Sequence, residues 1–198
     1  MNVAVMTQRN AKVSPRFGAR IAGALYLLSV VTAACTELFF RGRLNVAGGL
    51  VANAGMAAVT LILYTIFKPV NKRLALLAVF FNFVGLTFEA LRLNPRGVDV
   101  ALVFTGFYCL LIGYLIFRST FVPRILGALM AFAGLGWVTY LSNPLVNYLS
   151  PYNLASALLV EALVMLWLLV MGVNVQRWKD RAIAVGASRL PVTRPATS

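Results

Sequence analysis

The chain contains no histidine, only five acidic residues and only two cysteines among its 198 residues. Without histidine the commonest metal ligand and general base are missing, so haem sites, zinc sites and Ser-His-Asp catalysis are not expected. Cys35 and Cys109 lie in separate apolar stretches and form no metal-binding or redox motif. We therefore predict no metal, no cofactor and no catalytic residue, and the sequence favours a protein that is not an enzyme.

Hydrophobic residues make up 61% of the chain and charged residues only 12%, which is typical of a membrane protein. The apolar residues form six blocks close to the roughly 20-residue length that crosses a bilayer. The blocks are 21–40, 46–67, 74–93, 98–117, 125–141 and 154–175. All eight prolines lie between the blocks or in the tails, where helices start or stop. The sequence predicts an all-α transmembrane bundle of six spans at 21–175, with basic tails at 1–20 and 176–198.

The basic residues are unevenly distributed between the two sides of this predicted bundle. If the N-terminus is cytoplasmic, fourteen of the eighteen Lys and Arg residues face the cytoplasm. The other four, Arg41, Arg43, Arg92 and Arg96, lie outside. The positive-inside rule therefore predicts that both termini are cytoplasmic. The basic residues that give the net charge of +13 flank the predicted helices and form no soluble basic domain. We therefore expect contact with anionic membrane lipids and no nucleic-acid partner.

Three glutamates interrupt apolar blocks: Glu37, Glu89 and Glu161. An ionisable side chain inside a membrane costs several kcal/mol, roughly 2.5 to 3.5 on insertion scales, so each needs a partner or a function. Helical spacing places Glu89 on one stripe with Asn82 and Arg92.

Two interpretations of the glutamates follow. Glu37 and Glu89 form local ion pairs with Arg41 and Arg92, or they belong to a binding site. Glu161 has no basic residue nearby on its own helix, so it needs a partner on another helix, a water-filled cavity or a proton. We predict a shared polar pocket containing Glu161 in the outer half of the membrane. The candidate ligand-binding residues are Glu161, Glu37, Glu89, Asn53, Asn82, Arg41 and Arg92.

Such a pocket suits three functions. The leading hypothesis is a small accessory or binding protein for a lipid or an anionic ligand held by the arginines. One alternative is a proton-coupled or anion transporter, and another is a membrane-embedded enzyme that uses glutamate as acid and base. Homo-oligomerisation or a protein partner within the membrane fits the accessory role.

Small residues mark one side of two predicted helices. Gly106 and Gly113 share a side of the fourth, and Gly127, Ala131 and Gly134 share a side of the fifth. Small residues at such spacing allow two helix backbones to approach closely in a membrane. We therefore expect each of these two faces to pack closely against another helix, and assign these residues no further role.

Several short motifs resemble those of DUF4386, a family of bacterial integral membrane proteins. They are ARIAGALYLL at 19–28, FFRGRL at 39–44, KPVNKRLALL at 68–77, FRSTFVPRILG at 117–127 and LWLLVMGV at 166–173. The resemblance covers most of residues 16–175 in the same order. It implies a multi-pass protein of the bacterial cytoplasmic membrane and transfers no catalytic residue.

Overall fold

The computed structural model describes residues 14–95 and 98–187 of the chain. The described residues form eight α-helices and no strand. The helices are α1 (Pro15–Phe39), α2 (Arg43–Phe67), α3 (Lys72–Ala90), α4 (Val100–Arg118), α5 (Arg124–Val138), α6 (Asn143–Leu149), α7 (Tyr152–Val170) and α8 (Val175–Ala187). Residues 1–13 and 188–198 of the predicted tails, and Arg96, lie outside the described residues.

Six of the described helices are long and apolar enough to cross a membrane: α1 to α4, α5 with its 3₁₀ extension Thr139–Leu141, and α7. This confirms the prediction of six spans. Large apolar side chains on the outside of the bundle are exposed, as shown by Leu28 at 61%, Phe132 at 58% and Leu159 at 64%. A soluble protein rarely exposes so many large apolar side chains, so these surfaces are suited to lipid.

The spans form a closed ring. Each of α1 to α4 contacts the next helix in the chain, α5 packs against α7, and α7 packs back against α1. One end of the bundle is the end at which α1 and α3 finish, and we name it the pocket end. The opposite end, with the loops α2–α3 and α4–α5 and the helix α8, is the basic end. The interior of the ring is mostly apolar, with Val59, Phe67, Leu115 and Ile116 almost fully buried.

Local sequence signals explain several helix ends. Ser14 caps α1 by accepting a hydrogen bond from the Phe17 amide, and Pro15 follows at the first helical position. Asn71 caps α3, and Asp99 caps α4 by accepting from the Leu102 amide. The tight turn between α1 and α2 depends on Gly42, whose φ of 64° is readily adopted only by glycine.

The structure departs from the predicted elements at the C-terminal side. The last span ends at Val170, shortly before Gly172 with φ of 67°, and not at residue 175. The segment predicted as a tail from residue 176 starts with the helix α8. The predicted loop 142–153 contains the short helix α6, which begins at Asn143 and Pro144.

The small-residue faces of α4 and α5 pack against each other, a pairing that the sequence left open. A Cβ atom placed on Gly113 would lie 2.6 Å from the Ala131 nitrogen and 2.7 Å from the Gly127 oxygen. A Cβ on Gly134 would lie 2.8 Å from the Gly106 oxygen. The backbones of α4 and α5 therefore touch directly, and these positions exclude any side chain larger than hydrogen.

Candidate functional site

A cavity of about 400 Å³ opens at the pocket end of the bundle. We call it the polar pocket. It lies among the end of α1, the start of α2, the end of α3, the following loop and the start of α4. Its polar side chains are Glu37, Asn53, Glu89, Arg92, Asn94 and Asp99. Apolar side chains, including that of Phe88, line the rest of it.

The charges in the polar pocket are mainly negative. Glu37, Glu89 and Asp99 line it together, although the whole chain has only five acidic residues. Arg92 is the one basic side chain in the described lining. A chain with eighteen basic residues therefore gathers three of its few carboxylates in one place.

Arg92 is held by the protein itself. Its guanidinium donates to the Asn45 Oδ1, and the buried Asn45 amide donates to the Thr36 carbonyl and to the Glu37 Oε1, each at 3.2 Å. Asn45 thus connects the end of α1 to the loop after α3. This arrangement engages Arg92 and one oxygen of Glu37.

The carboxylate of Glu89 has free hydrogen-bonding capacity. Among the described residues, no side chain or backbone group donates to it, and it lies exposed in the pocket wall. Asp99 accepts from the Leu102 amide at 3.4 Å, which occupies one of its oxygens. A carboxylate accepts about four hydrogen bonds, so all three acidic side chains can still bind a ligand.

The local ion pairs that one interpretation required are absent from the described part of the chain, because both helices end early. Glu37 lies in α1, which ends at Phe39, and Phe40 is extended, so Arg41 leaves the helical register. Similarly, α3 ends at Ala90, and Arg92 has a positive φ of 51°. The predicted stripe of Asn82, Glu89 and Arg92 is therefore broken at its last member.

Asn82 lies deeper and does not line the polar pocket. Its amide donates to the Thr60 hydroxyl at 2.5 Å, which links α3 to α2. Thr60 in turn donates to the Met56 carbonyl. This buried polar layer closes the floor beneath the pocket and has a packing role.

Glu161 occupies a different place from the other two glutamates. It is the central residue of α7 and is enclosed by three other helices. Its Oε2 accepts from the Tyr26 hydroxyl of α1 at 2.5 Å. Its Oε1 accepts from the Trp137 indole of α5 and from the Cys109 thiol of α4, the latter at 3.6 Å. We call this group the Glu161 cluster.

The prediction of one shared pocket containing Glu161 is therefore corrected. Glu37, Glu89, Asn53 and Arg92 meet in the polar pocket, whereas Glu161 binds Tyr26, Trp137 and Cys109. Arg41 is exposed and, like Asn82, does not line the pocket. The physical reason is the ring order, since α7 packs between α1 and α5 and stays away from α2 and α3.

Sequence reasoning missed Asn45, Asn94 and Asp99. Asp99 stands directly before an apolar run, which is the usual signal of a helix N-cap, and Asn45 follows the Arg41–Arg43 turn. Both signals were available in the sequence. The partners of Glu161 had no such signal, because each lies on a separate helix.

Comparison with known proteins supports the resemblance and gives no activity. Residues 86–172 match the family described as "Domain of unknown function (DUF4386)". A relative from Archaeoglobus fulgidus, named "Uncharacterized protein", is 27% identical over an alignment of 125 residues, and the match covers 58% of this chain and 75% of the relative. No solved structure matches significantly.

Proposed function

We propose that this multi-pass membrane protein, which matches DUF4386 over residues 86–172, binds an organic cation in the polar pocket. The main support for this proposal is the charge of the pocket. Glu37, Glu89 and Asp99 line one cavity in which Arg92 is already hydrogen-bonded to Asn45. Several carboxylates around one cavity attract a cationic group more strongly than a single carboxylate does. The charges thus favour a cation over the anionic ligand expected from the arginines.

The size and lining of the pocket favour an ammonium-bearing molecule over a metal ion. Among the described residues, no three acidic or cysteine side chains come close enough together to hold a metal. A cavity of about 400 Å³ accommodates a small organic molecule. The Phe88 ring, stacked on Phe104 at 5.9 Å, also lines this cavity, and aromatic rings attract quaternary ammonium groups.

Binding is better supported than transport through the bundle. Beneath the pocket, the Asn82–Thr60 layer and then the apolar side chains of Val59, Leu63 and Phe67 fill the interior. The polar pocket ends above this packing. We therefore propose a binding or accessory role in the membrane, together with surrounding lipids and a protein partner or a second copy of the chain.

Replacing Glu89 by glutamine is expected to weaken cation binding about tenfold, because a charge-assisted contact becomes a neutral one. Asp99→Asn should act in the same direction. The measurement is isothermal titration of the purified protein in detergent with tetramethylammonium and choline, with sulfate as the anionic comparison.

The matched control is Asp180→Asn, which removes an acidic residue on α8 at the opposite end of the bundle. This variant should bind tetramethylammonium like the unmodified protein. If sulfate binds and tetramethylammonium does not, or if Glu89→Gln binds the cation with unchanged affinity, the cation site is refuted.

We also propose that both termini lie in the cytoplasm and that the membrane is the bacterial cytoplasmic membrane, with the polar pocket facing outward. The support is the excess of basic residues at the basic end, where Lys68, Lys72, Arg118 and Arg124 lie. Green fluorescent protein fused after Ser198 should then fluoresce in a bacterial host. Alkaline phosphatase fused at Asn94 should be active. The reverse pattern of the two reporters would contradict this orientation.

A further inference from the structure

A second cavity, of about 280 Å³, lies at the basic end of the bundle and is surrounded by arginines. Arg118 ends α4, Arg124 begins α5, and Arg181 comes from α8. Phe117 and Thr120 complete the lining. We call this group the arginine cavity. It lies at the opposite end from the polar pocket and plays no part in the function proposed above.

The three arginines that line the arginine cavity have no protein counter-charge among the described residues. Among the described residues, none of them has a carboxylate within 4.0 Å or a hydrogen-bond acceptor. Asp180, next to Arg181 in the chain, instead accepts a hydrogen bond from Gln176 at 3.2 Å. Three like charges around one cavity repel each other unless an anion lies between them.

The helix α8 is fixed in a position that keeps Arg181 at this cavity. The Trp178 indole donates to the Ile66 carbonyl at the end of α2, at 2.9 Å. The Arg177 guanidinium donates to the Thr120 carbonyl at 3.0 Å. These two tethers come from successive residues and hold α8 across the basic end, so Arg181 is placed by the fold and is not a freely moving surface charge.

The surroundings of the cavity combine charge with exposed apolar surface. Phe117 lines the cavity and is 47% exposed on the outside of the bundle, and Ile125, beside Arg124, is 68% exposed. Arginines bind phosphate oxygens through paired N–H donors. A ligand with a phosphate beside long apolar chains would satisfy both parts of this surface at once.

We propose that the arginine cavity binds the phosphate group of an anionic membrane lipid, whose acyl chains pack along Phe117 and Ile125. Arg118, Arg124 and Arg181 hold the phosphate, and α8 lies along the membrane surface at headgroup level. The Trp178 anchor links occupancy of this site to the end of α2. A basic pocket among spanning helices is a known type of lipid headgroup site.

The test is native mass spectrometry of the full-length protein with phosphatidylglycerol and with phosphatidylcholine of the same acyl chains. The unmodified protein should retain phosphatidylglycerol, and each arginine replaced by alanine should weaken retention roughly fivefold. The triple variant Arg118→Ala, Arg124→Ala, Arg181→Ala should retain the two lipids equally. These side chains have no protein partner among the described residues, so their loss should leave the fold intact.

The matched control removes three basic residues from the same end of the bundle: Lys68→Ala, Lys72→Ala and Arg73→Ala. All three are exposed and lie away from the arginine cavity. This variant should keep the preference for phosphatidylglycerol. An equal loss of the preference for phosphatidylglycerol in both triple variants would show that general surface charge, and not this cavity, retains the lipid. That result would overturn the proposal. Displacement of the lipid by inorganic phosphate at equal concentration would show that the cavity serves a free anion, which also overturns it.

Discussion

Replacing Glu161 by leucine is expected to destabilise the bundle by about 2–4 kcal/mol. The carboxyl group accepts from Tyr26, Trp137 and Cys109, which lie on three different helices. Leucine has a similar size but leaves the hydroxyl, the indole N–H and the thiol without an acceptor inside the membrane. The midpoint of thermal unfolding in a mild detergent, followed by circular dichroism, measures the effect.

A double-mutant cycle separates the hydrogen bonds from simple packing. In the unmodified protein, Tyr26→Phe removes one donor to Glu161 and should lower stability by about 1 kcal/mol. In the Glu161→Leu background, the same change removes an unsatisfied hydroxyl and should be neutral or stabilising. If Tyr26→Phe has the same effect in both backgrounds, the two side chains are not coupled and the Glu161 cluster does not stabilise the bundle as described.

Glu161→Gln is the matched variant for this cycle. Glutamine keeps one carbonyl oxygen as an acceptor for Trp137 and has a nearly identical shape. The expected loss is therefore smaller than that for leucine. A glutamine variant as unstable as the leucine variant would mean that the carboxyl group itself is needed.

The spans and the small-residue faces of α4 and α5 could be predicted from the sequence because both depend on one helix at a time. The length of an apolar run determines whether it crosses a bilayer. The helical period places Gly106 and Gly113 on one side of α4, and Gly127 and Gly134 on one side of α5. Neither inference needs the helix order, but the structure alone shows that these two faces meet each other.

The composition of the polar pocket was harder to predict because it depends on where helices end. The predicted spans ran to residues 40 and 93, but α1 ends at Phe39 and α3 at Ala90. Arg92 has a positive φ and donates to Asn45, and it forms no ion pair with Glu89. A difference of one to three residues at these ends thus changed which charges meet.

The place of Glu161 depended on the order of helices around the ring. Its spacing along α7 showed that no basic residue of the same helix was within reach, and this remains correct. It could not show that α7 packs between α1 and α5. Along the sequence, Tyr26 lies 135 residues from Glu161, Cys109 lies 52 residues away and Trp137 lies 24 residues away. Their convergence on Glu161 is a property of the tertiary structure.

Replacing Gly113 by alanine is expected to destabilise the protein by about 3 kcal/mol, near the upper end for overpacking. The added methyl group would meet the Ala131 nitrogen at 2.6 Å and the Gly127 oxygen at 2.7 Å. Both are backbone atoms of α5, so neither can move aside as a flexible side chain would. The two helices must separate, which also disturbs the neighbouring contact of Gly106 with Gly134.

Gly49→Ala is the matched control, because a Cβ atom on Gly49 meets nothing within 4 Å. Both substitutions add one methyl group to a glycine inside a spanning helix, and alanine favours a helix over glycine by up to about 1 kcal/mol. Gly49→Ala should therefore unfold at the same temperature as the unmodified protein or at a higher one, and Gly113→Ala at a clearly lower one. Equal unfolding temperatures for the two variants would show that α4 and α5 separate at little cost, and that their direct backbone contact does not hold the ring together.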